Sequence, residues 1–186
     1  MASTVGHSLA GLALYLAAEP RGQLRQRLRE NAARIAAFMA LANLPDVDLL
    51  VGAVVYGDAL HIHGAITHGL PFAAVAALVL ALLWPLEGRR RRSFLLYFAV
   101  IGSHGVIDLF TSHLGLGLVR TSGVAILSPF VREKISPPFA LFYGPLHGSW
   151  AKLLSLHNVV SVLLESVGFS ALIGFIVLVK ERRGDR

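Results

Sequence analysis

The sequence contains no cysteine. That absence excludes disulfides and thiolate metal sites, so any metal must be held by His, Asp or Glu. Negative charge is scarce, with 11 Asp and Glu against 17 Lys and Arg and a net charge of +6. Polar surface is short as well: charged residues make up 15% of the chain and apolar ones 55%, with a mean hydropathy of +0.65. A soluble domain usually sits near 45–50% apolar. No HExxH, GxSxG or P-loop pattern occurs and no internal repeat is visible, which removes the common metalloprotease, serine-hydrolase and nucleotide-triphosphatase signatures. The positive charge does not point to nucleic acid, because it clusters beside apolar blocks instead of spreading over a polar domain.

The apolar residues fall into blocks near the length of a membrane-crossing helix. They cover Val5 to Ala18, Ile35 to Tyr56, His68 to Leu86, Ser93 to about His113, and Leu156 to Val179. The first block has no basic residue before it, which favours a retained helix over a cleaved leader; Pro20 is expected to end it. The second is broken at Asn43-Leu44-Pro45-Asp46, where Pro45 lacks an amide proton but suits the start of a new half-helix. Thr67 is placed to cap the helix that His68 opens. The expected fold is therefore all-α: one transmembrane domain over residues 1–186, an integral membrane bundle of about five helices with a broken second helix. The Gly- and Pro-rich stretch from Leu114 to about Ser155 reads as a long extracytoplasmic segment of loop and surface-lying helix.

Thirteen of the 17 Lys and Arg lie in three runs. These are Arg21 to Arg34, Arg89–Arg92, and Lys180 to the carboxyl end. They alternate with the blocks in the way expected if all three face the cytoplasm, with Arg89–Arg92 near anionic head groups. Helical rise from each run to the polar residues beyond it then places those residues at one level. His7 comes out about 21 Å from Arg21, Asp46 and Asp48 about 18–21 Å from Arg34, and His68 about 31 Å from Arg89. His104 and Asp108 come out about 18 and 24 Å from Arg92, and Glu165 about 22 Å from Lys180. A buried carboxylate costs about 2.5–3.5 kcal/mol at the centre of a span, so Asp48, Asp108 and Glu165 call for a shared cation or a polar cavity.

His104-x-x-x-Asp108 is the sharpest local pattern, since a spacing of four puts both side chains on one helix face. Imidazole and carboxylate from one helix make a pair of metal ligands; the alternative is a hydrogen bond inside the bundle. Asp46 and Asp48 flank a helix break. Capping accounts for Asp46 alone, and the second carboxylate points to metal or general-base duty. His61, His63 and His68 sit at the edge of a block. Spacing requires His63 to come from a loop if it joins His68, and solvent-exposed histidines are the alternative. His7 joins the candidates by depth, Glu165 is a further one, and His113, His147 and His157 read as solvated or structural.

Four ordered motifs carry a resemblance. They are His7-Ser8-Leu9-Ala10-Gly11, Leu44-Pro45-Asp46-Val47-Asp48, His63-Gly64-Ala65-Ile66-Thr67-His68-Gly69, and Ser103-His104-Gly105-Val106-Ile107-Asp108-Leu109-Phe110-Thr111. Together they resemble the YdjM-like family of inner-membrane proteins, described as metal-dependent hydrolases, over roughly the first 130 residues. The third motif departs from that family's His-Arg-Gly-x-Thr-His, because Gly64 stands where the Arg would be. A fainter likeness is to secreted, all-helical zinc phospholipases C. It implies one zinc held by His68, His104 and Asp108, with an Asp of the Asp46/Asp48 pair as base. The later His-x-x-x-Glu pair of those enzymes has no match, since Ser161 lies four residues before Glu165.

The expectation is a membrane-embedded metal-dependent hydrolase with one or two divalent ions, zinc first. His68, His104, Asp108 and Asp48 would be ligands, joined by His7 and His63, with Asp46 as general base. The site would face the extracytoplasmic side of the inner membrane, among membrane lipids, and act on a phosphate ester of a lipid or another membrane-associated substrate. Two alternatives stand beside it: a transporter or ion-conducting protein, and a non-catalytic membrane scaffold. A conducting path needs polar groups on both sides of the midplane, whereas Val75 to Leu83 and Phe94 to Ile101 are almost wholly apolar.

Overall fold

The structure, a computed structural model, describes residues 1–19, 31–146, 152 and 154–184. The arginines between Arg21 and Arg29, the expected stop at Pro20, and His147 lie outside the described residues. The fold is mostly helical. Helix α1 runs Thr4–Ala18. Ser3 caps it, its Oγ accepting from the Gly6 amide at 3.0 Å, which meets one of the free N–H groups of a helix start. Its end falls at Glu19, which is extended, as a residue before proline prefers.

Helix α2 (Ala32–Ala42) gives way to a 3₁₀ turn over Leu44–Asp46 and then to α3 (Val47–Val51). The two halves are bent by 59°. Asn43 holds the break: its side-chain amide donates to Met39 O at 2.8 Å and to Ser8 Oγ on α1 at 2.9 Å. A wide π turn, Gly52–Tyr56, follows and stops at Gly57, whose φ of 68° suits glycine. Turns carry the chain to α4 (Leu70–Leu83), which has Pro71 in its first turn. Helix α5 (Arg90–Leu109) and the long α6 (Leu156–Gly184) complete the set.

Helix α4 lies along α5, and α1 packs on α2, α5 and α6. Ala73, Ala77 and Ala81, four apart on α4, are buried; small residues at that spacing let two backbones approach closely. Phe38, Leu16, Val100 and Tyr97 form an apolar core at one end of the bundle. That end also gathers basic side chains. Arg92 donates to Ala18 O at 2.8 Å, and Lys180 donates to Leu16 O and Ala17 O at 2.6 and 2.7 Å. Both satisfy carbonyls left open at the carboxyl end of α1.

One expectation is corrected here. Five full-length spans are not what the blocks become. Among the described residues, only α6, over Leu156–Arg182, is by itself long and apolar enough to cross a membrane; the bent α2–α3 pair raises the number to two. The 27 residues of that stretch reach about 40 Å at 1.5 Å each. The 15 of α1 and 14 of α4 reach only about 21–23 Å, against about 30 Å of hydrocarbon. Prolines at 20, 71 and 85 trim those blocks. Only 11% of the most apolar stretch of α6 is buried within the protein, so this is an outward-facing apolar helix, unlike the core helix of a soluble domain. Lys152 is helical, and the described residues from 114 to 146 make a folded loop. Its short strand β2 (Phe142–Tyr143) pairs in parallel with β1 (Thr111–Ser112), and bridges join Gly117 to Ala140 and Val124 to Ile135.

Candidate metal centre

At the end of the bundle away from Arg92 and Lys180, α1, the α2–α3 break, the turns before α4, and α5 each deliver polar side chains to one place. His104 on α5 is tied first. Its Nδ1 lies 2.8 Å from the carbonyl of Ala42, the last residue of α2. A carbonyl only accepts, so Nδ1 carries the proton and Nε2 presents a lone pair. That lone pair faces His68 Nε2 at 3.1 Å, Asp46 Oδ1 at 3.3 Å and Asp108 Oδ2 at 3.5 Å. His68 Nε2 is itself 3.5 Å from Asp46 Oδ1 and 3.6 Å from Asp108 Oδ2. Two imidazole nitrogens thus meet nose to nose between two carboxylates, and His68, His104 and Asp108 are buried.

His7 from α1 stacks on His104 with ring centroids 3.6 Å apart, and its Nε2 lies 3.3 Å from Asp108 Oδ1. The same oxygen accepts the backbone N–H of Ala2 at 2.6 Å. Neither ring nitrogen of His7 and not the Oδ2 of Asp108 has a hydrogen-bond partner among the described residues. A buried polar atom left unmet costs about 1–3 kcal/mol, and three such atoms in one spot would be met by a bound ion or water. His7, His104 and Asp108 form one group able to hold a metal ion; Asp46, His63 and His68 form an adjoining one. The oxygen and nitrogen donors suit a divalent ion of the zinc type.

Asp48 does something different. Its Oδ1 accepts from His63 Nδ1 at 2.7 Å, and its Oδ2 accepts from the Gly64 amide at 2.9 Å and from Thr67 Oγ1 at 2.6 Å. It stands 3.7 Å from His68 Nδ1. With three donors on its two oxygens, Asp48 orients His63 and leaves that ring's Nε2 for an ion. Asp46, expected as the base, is the one among the imidazoles, and Asp48, expected as a ligand, contacts His63, Gly64 and Thr67. Thr67 does not cap α4 either, since its hydroxyl is spent on Asp48 and Gly69 holds the cap position without a side chain.

Glu165 on α6 is buried near the centre but outside both groups. It accepts the backbone amide of Ser3 at 3.2 and 3.1 Å and also the Ser3 hydroxyl. It therefore anchors the segment whose Ala2 amide braces Asp108. His61 is exposed and stacks on Tyr56; exposed His113 lies 3.3 Å from Ser122 Oγ. His157 donates from Nε2 to Gly144 O at 3.0 Å and accepts from the Tyr143 hydroxyl at 2.7 Å, which pins the loop to α6. Sequence reasoning missed the orienting groups: the Ala2 amide, Ser3, Thr67 and the Ala42 carbonyl. Thr67 alone left a trace, as the hydroxyl inside the His63–His68 motif.

A helical protein with a long apolar helix and a buried His/Asp cluster able to hold a cation is a membrane protein with a candidate metal site between its helices. The chain belongs to the YdjM inner membrane protein family, whose model matches residues 1–183. No curated protein and no solved structure matches it.

Proposed function

We propose that this protein is a metal-dependent hydrolase of the inner membrane, acting on a phosphate ester of a lipid. The observation that carries the reading is the cluster of three unmet buried atoms on His7 and Asp108 beside the facing Nε2 atoms of His68 and His104. His7, His104 and Asp108 hold one divalent ion, zinc by the chemistry of the donors. His63 and His68, with Asp46 beside them, are able to hold a second. Such an ion supplies Lewis acidity and a water of lowered pKa. Asp46 is the general base, because its side chain is 22% exposed while His68, His104 and Asp108 are 0%. It is the acidic group that incoming water can reach. Asp48 keeps His63 in place, and the Ala2 amide keeps Asp108 in place.

The chain is proposed to sit in the bilayer in several passes, the shorter helices crossing as a packed group. The centre then faces outward, opposite the arginine-rich end. A path across the membrane is disfavoured by the apolar core of Phe38, Leu16 and Val100 that closes the bundle beneath the centre.

The test is metal analysis of detergent-purified protein, with and without Asp108→Ala. Near-stoichiometric divalent metal should be present and should be lost in the variant. Hydrolysis of a lipid phosphate should fall with it. Equal metal in both proteins would remove the basis of the reading.

A further inference from the structure

A cavity of about 590 Å³ opens beside the centre, within the range of small-molecule sites. Asp46 and His63 form its polar end, and Leu49, Leu60, Val159, Val162 and Leu163 are its apolar walls. Among the described residues, no Lys or Arg lines it. Of the centre's residues, Asp46 and His63 are the ones with side-chain exposure, 22% and 10%, so approach from outside passes them first.

The rim decides what approaches. Leu60, Val159 and Leu163 are large apolar side chains that remain exposed. Val159 and Leu163 belong to α6, the helix able to cross a membrane. An apolar mouth on such a helix faces hydrocarbon, since lipid is the solvent there. One end of the cavity is therefore open to the acyl region, and the other ends on the candidate base. Ser3, Thr4 and Asn158 also line the cavity, but along Leu49, Leu60, Val159, Val162 and Leu163 a hydrocarbon chain would bury apolar surface at about 25 cal/mol per Å².

We propose that this cavity seats the hydrocarbon chain of an amphiphilic substrate. The chain enters sideways from the bilayer between Leu49–Leu60 and the Val159–Leu163 face of α6, and brings its head group to Asp46 and His63. The inference rests on the hydrolytic reading for its head-group chemistry. The chain-binding site itself stands on the cavity.

The probe is hexadecyl phosphate carrying a diazirine at its chain end, added to full-length protein in phosphatidylcholine vesicles and photolysed. Labels should concentrate on the Val159–Leu163 and Leu49–Leu60 peptides. Unlabelled hexadecyl phosphate should compete, and inorganic phosphate should not. Val162→Trp fills the cavity and should cut that labelling about tenfold or more while metal content is retained. Leu178→Trp, on the exposed face of α6 and outside the cavity, should not change it. If Val162→Trp fails to fold, the wild-type label map still decides. Labelling spread evenly along α6, or unaltered by Val162→Trp in metal-replete protein, overturns the proposal. Labelled cavity residues without turnover of the same phosphate would sink the hydrolytic reading and leave the chain site standing. Turnover with diffuse labelling would do the reverse.

Discussion

At the scale of single residues, the centre is governed by which atoms are already satisfied. Asp48 has three donors on its carboxylate, and Asp46 has imidazole nitrogens of two different segments near one oxygen. The two carboxylates should therefore fail differently. Asp48→Asn replaces an acceptor oxygen with an amide nitrogen, so one of the bonds from His63, Gly64 and Thr67 must be given up. His63 loses its support, and metal affinity should fall about 10–100-fold, as for other orienting partners. Asp46→Asn leaves His7, His104 and Asp108 untouched. Metal held by that group should persist while turnover falls about 10²–10⁴-fold. Metal titration and lipid-phosphate hydrolysis on both variants separate these outcomes; equal metal loss in the two would defeat the division of roles. His104 offers a third contrast. Its Nδ1 bond to Ala42 O fixes which nitrogen faces His68 and Asp108. His104→Gln keeps a polar side chain but loses the ring that stacks on His7, so metal should be lost from His7 and Asp108 as well.

At the scale of elements, what counts is how closely backbones approach. Gly105 on α5 lies against the carbonyl of His68, and a Cβ there would also come within 3.0 Å of Ile126 Cδ1. The motif Ser103-His104-Gly105 thus does two things: it supplies a candidate ligand, and it lets the turn bearing His68 press on the same helix. Gly105→Ala should push His68 away, lower stability by about 1–3 kcal/mol and reduce bound metal. A Cβ added at Gly168 on α6 would meet nothing within 4 Å, so Gly168→Ala should be neutral or slightly stabilising. Thermal unfolding and metal content of the two variants check this; an indifferent Gly105→Ala would show that the close approach is not needed. The same scale explains what could be read in the sequence. His104 and Asp108 were legible because one helix fixes their spacing, and their side chains do converge, 3.5 Å apart. The break at Pro45 was legible from proline chemistry. The partners of Asp46 and Asp48 were not, because they depend on how the turns from Gly57 to Gly69 fold back, and no period marks that. The fold of residues 114–146 was not legible for a related reason. Gly115, Gly117 and Gly123 all take positive φ, and the segment's bonds run to α4 and to its own far strand, including Leu70 N to Ile126 O at 2.8 Å.

At the scale of the whole molecule, charge and chemistry separate to opposite ends. Arg92 and Lys180 close on the carboxyl end of α1, and Arg34 borders a cavity shared with Glu87 and Tyr97 of the same region. Residues of all three basic runs thus come to one end, the arrangement required if the cytoplasm lies on that side. His7, Asp46, His68, His104 and Asp108 gather at the other, together with Ile126 and the loop around it. Depth counted from the arginines anticipated this convergence, although it assumed five full spans, because rise along a helix holds whether or not the helix is long enough to cross alone. The orientation can be tested directly, since the chain has no cysteine of its own. Single cysteines at Arg89 and Ser122 are suitable: both positions are exposed, and neither holds the positive φ that Gly88 holds at 71°. In intact cells an impermeant maleimide should label Ser122→Cys and leave Arg89→Cys unmodified until the membrane is opened. The two positions report the loop beside the centre and the arginine-rich turn between α4 and α5. Labelling of both from the same side would mean that the centre and the arginines share a compartment. The charge rule would then fail for this chain, and an outward-facing substrate cavity would fail with it.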